Sequence, residues 1–118
     1  MSDDYKIQLV TDADFEKEVI MNVEPVLVDF YSPGCAPCQG FEMTLIGLKE
    51  EYKGKVKIVK YNINQNAHYS RLYGVRPTPT SIIFHRGQPM GDHVGSSGSD
   101  TIKIFIRDSL PGIKLWVV

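Results

Sequence analysis

Residues 25–38 read Pro-Val-Leu-Val-Asp-Phe-Tyr-Ser-Pro-Gly-Cys-Ala-Pro-Cys. Pro25 to Tyr31 is a short, nearly continuous apolar run opened by a proline, the pattern of a strand buried on both faces of a sheet. Ser32-Pro33-Gly34 breaks the run. From Cys35 to about Tyr52, the residues Phe41, Leu45, Leu48 and Tyr52 recur at helical spacing, and Gly54 supplies a C-terminal cap. A buried strand therefore runs into a long helix, and both cysteines of the chain lie at the junction.

Outward from this unit, strands and helices alternate. Tyr5–Val10 is β-prone. Thr11 and Asp14 read as a capping box for a helix whose buried side is Phe15, Val19 and Ile20. Val56–Ile63 alternates as a strand, and His68–Tyr73 fits a short helix closed by Gly74. Val75 to Thr80 contains two prolines in three residues and cannot be helical. Ser81–His85 is an apolar strand, Arg86-Gly87-Gln88 a turn, Pro89–Val94 an edge strand, and Asp100–Leu110 an amphipathic helix. The order predicts an α/β sandwich of mixed sheet direction in one domain, residues 1–110. An apolar extension follows over residues 111–118, with Ile113, Leu115, Trp116, Val117 and Val118 placed either to pack on the domain or to dock onto a partner.

Composition bounds the function. The chain has 118 residues, 42% hydrophobic and 23% charged, enough for one substantial core. A net charge of -1 offers no footprint for nucleic acid, and no apolar run reaches the roughly 20 residues that span a bilayer. The polar, acidic N-terminus is not a secretory signal, so the expected compartment is the cytoplasm unless an export signal has been removed. A monomer is expected.

Two cysteines three residues apart point to local chemistry rather than a stapled scaffold. Positions three apart on a helical turn place their Cα atoms roughly 5–6 Å apart, which suits a disulfide. The free N–H groups and positive dipole end of the helix stabilise a thiolate on the first cysteine. Pro37 lies in the first turn, where its missing N–H costs nothing. These rules cast Cys35 as nucleophile and Cys38 as resolving thiol. Two other readings of the pair remain at this point. One is half a zinc site, although no second cysteine pair exists and His68, His85 and His93 are scattered. The other is a pair of inert thiols. No metal and no bound cofactor is expected beyond the Cys35–Cys38 disulfide itself.

From about Tyr5 to Leu110 the sequence resembles the thioredoxin family. The matching pieces are Val26–Tyr31, Cys35-Ala36-Pro37-Cys38, Val59–Ile63, Tyr73-Gly74-Val75-Arg76, Pro79-Thr80 and Val94-Gly95. Several separated motifs in order are more specific than the cysteine pair alone. The resemblance implies a thioredoxin fold with a central mixed five-stranded sheet flanked by four helices. It implies a cis peptide bond at Pro79, leaving the backbone of Thr78 open to pair with a substrate strand. It implies that Asp29 lies beneath the dithiol and exchanges a proton with Cys38, and that Lys60 pairs with Asp29. Gly95 matches a glycine that leaves room beside the dithiol. The activity implied is disulfide reduction on protein substrates, with a flavin-containing thioredoxin reductase restoring the dithiol. An oxidase or isomerase would use the same residues at a higher potential. A non-catalytic adaptor would use only the groove or the Trp116 tail, and retention of Cys35, Cys38, Asp29 and Pro79 argues against it.

The chain departs from the family pattern at several positions. Gly34 and Ala36 stand where the family has tryptophan and glycine, which removes an apolar wall beside the nucleophile. Met43 replaces a helix-kinking proline, so a straighter helix is expected. Pro77 replaces a glycine, and Thr78 replaces a bulky apolar residue, which would offer a hydroxyl to the substrate groove.

Overall fold

A computed structural model describes residues 6–115. Among these, five strands form one sheet in the order β1-β3-β2-β4-β5. They are β1 (Gln8–Val10), β2 (Val26–Tyr31), β3 (Lys57–Asn62), β4 (Thr80–His85) and β5 (Gln88–Val94). β2 pairs in parallel with β3 and antiparallel with β4, so the sheet is mixed, with β2 at its centre. The helices are α1 (Ala36–Glu51), α2 (His68–Leu72) and α3 (Ser99–Ser109), with a π-helical turn at Glu16–Ile20. This is the expected thioredoxin fold of five strands and four helical segments. No helix among the described residues is long and apolar enough to cross a membrane.

Strand alternation divides the core in two. Leu27, Ile58 and Ile83 pack under α1 and α3, against Phe41, Leu45, Leu48, Ile102 and Ile106. Val26, Val28, Phe30, Val59, Tyr61, Ile82 and Phe84 face the other way, onto Phe15 and Val19. Because side chains alternate with period two, Asp29 shares the face of Leu27, Lys60 that of Ile58 and Ser81 that of Ile83. All three therefore point to the side covered by α1.

The helical segment after β1 differs from expectation. Asp14 does reach back to the Thr11 N–H, at 2.6 Å, but the segment closes with an i→i−5 bond from Met21 N–H to Glu16 O, the π pattern. Both Phe15 and Val19 stay buried, and the Phe15 ring stacks on Tyr69 with centroids 4.0 Å apart. The start of α2 has no cap from its own N-cap residue, Ala67. Asp12 supplies one from a distant loop, accepting the Ala67 and His68 N–H groups at 3.2 Å each and the Tyr61 hydroxyl at 2.5 Å. Of the apolar extension, Ile113 and Leu115 are partly buried against the core under α1 and α3. Trp116, Val117 and Val118 lie outside the described residues.

Candidate active site

Cys35 is the N-cap of α1 and Cys38 lies in its first turn, with Ala36 and Pro37 between them. The cysteines form a disulfide with Cα atoms 5.2 Å apart. The Cys38 N–H, one of the free donors at the helix start, points at Cys35 Sγ at 3.2 Å. Exposure separates the two sulfurs: Cys35 is half-exposed, whereas Cys38 is 4% exposed. α1 runs without interruption past Met43.

The second wall comes from the segment entering β4. The Thr78–Pro79 bond is cis. Cys35 Sγ lies 3.7 Å from both the carbonyl oxygen and the hydroxyl oxygen of Thr78. The Gly95 N–H donates to Pro79 O at 2.7 Å, which ties the end of β5 to the cis-proline. Gly95 has φ +99°, a conformation that favours glycine, and a Cβ there would meet nothing within 4 Å. The requirement inside the fold is therefore one of backbone conformation, and the space beside Gly95 is open. The Thr78 hydroxyl lies beside the half-exposed Cys35 sulfur. It sits 2.8 Å from the Ser32 hydroxyl and faces the sulfur, because β2 and β4 run antiparallel and bring the two loops together.

Beneath α1, Asp29 is 1% exposed, between Lys60 on β3 and Ser81 on β4, its register partners on either side. Burial is the main cause that pushes its carboxyl from 3.8 up to about 7; Glu42 adds to the rise and Lys60 opposes it. Among the described residues, Asp29 Oδ1 and Ser81 Oγ are buried without a hydrogen-bond partner.

The expected pairing of Lys60 with Asp29 is corrected. Lys60 Nζ lies 3.1 Å from both carboxylate oxygens of Glu42 and 5.5 Å from the centre of the Tyr31 ring. The long lysine stem reaches past its strand neighbour to a carboxylate nearer solvent, where an ammonium keeps more of its hydration. Glu42, Ser32 and Ser81 were not singled out by sequence reasoning. Glu42 had a signal: it follows Cys38 by four positions, so both share one face of α1 and line one cleft with Tyr31, Ser32 and Gly34. Ser32 and Ser81 become visible only once the register of β2 and β4 is known.

The arrangement suits two-electron exchange at sulfur: an accessible sulfur at a helix N-terminus, a buried partner one turn away, and a proton-holding carboxyl under the same helix. Comparison with known proteins agrees. The family model described as "Thioredoxin" matches residues 6–108. The thioredoxin of Porphyra purpurea is 38% identical over 97 residues, covering 82% of this chain and 91% of its own. That of Griffithsia pacifica is 41% identical over 90 residues, 76% of this chain and 83% of its own. Thioredoxin 1 of a Nostoc species is 39% identical over 93 residues, 79% and 87%. With the cysteine pair closed at the head of α1 and a family match over almost the whole described chain, the protein belongs to the thioredoxin family and is a thiol–disulfide oxidoreductase.

Proposed function

We propose that the protein works as a protein disulfide reductase in which Cys35 attacks and Cys38 resolves. The observation that carries this order is the difference in exposure, since only Cys35 is open to a protein-bound disulfide. The Cys35 thiolate attacks one sulfur of a substrate disulfide, forms a mixed disulfide and expels the other substrate sulfur as a thiolate. Cys38 then loses its proton, attacks Cys35 Sγ and expels the second substrate thiolate. Two electrons have passed to the substrate, and the Cys35–Cys38 bond has formed.

Asp29 is the proton acceptor in the second step. A carboxyl titrating at about 7 is divided between its two forms at neutral pH, so it can take a proton from Cys38 and return it on the next turnover. Lys60 acts on Asp29 through its charge rather than by direct contact. The substrate chain lies across Gly34, Ala36 and Pro37 on one side and Thr78, Pro79 and Gly95 on the other, pairing with the backbone of Thr78. No resident cofactor or metal is needed, because the dithiol holds the electrons. A flavin-containing thioredoxin reductase is the electron donor suggested by the family, and a cytoplasmic monomer is the form that suits it.

The test is trapping with a disulfide-bonded protein such as insulin. Reduced Cys38→Ser should accumulate a mixed disulfide through Cys35, and Cys35→Ser should accumulate none. Trapping through Cys38 instead would reverse the assignment. The direction is read from the reduction potential: a value of about -220 mV or lower supports a reductase, and one near about -120 mV an oxidant.

A further inference from the structure

In the β2–β4 ladder, Phe30 stands opposite Thr80. Antiparallel register continued by one pleat places Ser32 opposite Thr78, and their hydroxyl oxygens are 2.8 Å apart. Thr78 Oγ1 is in turn 3.7 Å from Cys35 Sγ. Both side chains are half-buried.

Counting protons fixes the polarity of this chain. A disulfide sulfur carries no hydrogen, and neither does a thiolate. The proton between Thr78 and Cys35 must therefore be the one on the Thr78 hydroxyl. That hydroxyl has only one, so the contact with Ser32 is made by the Ser32 proton. The order is Ser32 to Thr78 to Cys35. The Thr78 carbonyl, also 3.7 Å from the sulfur, accepts a hydrogen bond only from the protonated thiol. It repels a thiolate, and the Thr78 hydroxyl offsets that repulsion alongside the Cys38 N–H, which lies 3.2 Å from the same sulfur.

We propose that Ser32 is a positioning residue for the exchange reaction: its hydroxyl holds the Thr78 hydroxyl with the proton aimed at Cys35 Sγ, so the thiolate formed there meets an oriented and polarised donor. Without Ser32 the Thr78 hydroxyl is free to rotate about its C–O bond. With it, the donor is in place before the sulfur becomes charged, and a hydrogen bond that itself receives one is strengthened. The inference rests on Cys35 being the attacking thiolate. By stabilising the reduced form, the pair also makes the protein more oxidising than it would be with an apolar side chain at position 32.

The test is the pH profile of Cys35 alkylation by iodoacetamide in the fully reduced protein, with the modified site identified by peptide mapping. Ser32→Ala should move the profile to higher pH. The thiolate population on its acid side should fall about three-fold, the scale of weakening one charged hydrogen bond through its neighbour. The potential should become more negative. In a Thr78→Val background, Ser32→Ala should change neither quantity, since no hydroxyl remains to be aimed. The Cys38 N–H and the charged groups on this side of the sheet, Asp29, Glu42 and Lys60, are the same in every variant. An unchanged profile in Ser32→Ala, or an equal change in both backgrounds, overturns the proposal. The alkylation profile reports on Cys35 whether or not any substrate is reduced, so failure here is distinct from failure of the reductase assignment.

Discussion

Lys60 Nζ is held 3.1 Å from both carboxylate oxygens of Glu42, while Asp29, directly opposite Lys60 in the β2–β3 ladder, takes no part in that pair. One strand position thus brings a lysine beside a buried carboxyl without giving the carboxyl an ion-pair partner. Glu42 acts twice on Asp29: its negative charge disfavours ionisation, and it holds the ammonium toward solvent. Ser81, opposite Asp29 on β4, adds a hydroxyl but no charge.

Glu42→Gln should therefore lower the proton affinity of Asp29. The variant loses the repelling charge and releases Lys60 toward the carboxylate, and both changes favour the ionised form. The midpoint, followed by NMR of the Asp29 carboxyl carbon, should fall below about 7, and the pH optimum of mixed-disulfide resolution should move to lower pH with it. A midpoint that stays in place would mean that Glu42 does not govern Asp29.

Asp29 also links stability to pH. Its folded-state value of about 7 is raised above the ordinary 3.8. Below pH 3.8 both folded and unfolded chains hold the proton, and nothing is lost. Between about 3.8 and 7 the unfolded chain ionises first, so the native state loses stability as pH rises, and above 7 the loss is complete. Asp29→Asn, which does not ionise, should match the parent near pH 3. By pH 8 it should be more stable by a few kcal/mol, on the order of 4 at most. Urea unfolding of the oxidised proteins at pH 3, 5.5 and 8 measures this, and a gain independent of pH would show that charge burial is not its source.

Gly34 has φ +76°, and a Cβ there would meet nothing within 4 Å. Restoring a side chain there therefore meets backbone conformation as its first obstacle, since the Cβ itself is unobstructed. Gly34→Trp should lower the stability of the oxidised protein by about 1–2 kcal/mol. Gly34→Asn, which tolerates the left-handed region better, should lose less. Denaturant midpoints compare the two, and equal losses would point to a different cause.

The sequence made some parts of this molecule plain and hid others. Val26–Tyr31 was legible because a strand covered on both faces must be apolar at both parities, and Asp29 is the one charged residue in that run. α1 was legible from Phe41, Leu45 and Leu48 at helical spacing. The π-helical turn was not, because Phe15 and Val19 are equally compatible with an α-helix. A one-residue shift in hydrogen bonding leaves no mark on composition. Lys60 does lie beside Asp29 on the adjacent strand, as the resemblance implies, but its ammonium pairs with Glu42. Pairing register fixes where a Cα sits, whereas the end of a four-carbon stem goes where its charge stays hydrated. The contact of the Thr78 hydroxyl with Ser32 is hidden for a related reason, since it depends on strand register and on a residue 46 positions distant.

That distance bears on the life of the chain before it is complete. Cys35 and Thr78 are 43 residues apart, and the antiparallel β2–β4 pairing is what joins them. At about 5–20 residues per second, synthesis takes roughly 2–9 s to pass from one to the other. During that interval the emerging segment carries two thiols and no facing strand. The wall that shapes an exchange site arrives only with β4, so the nascent protein carries its reactive residues some seconds before it has a place to use them.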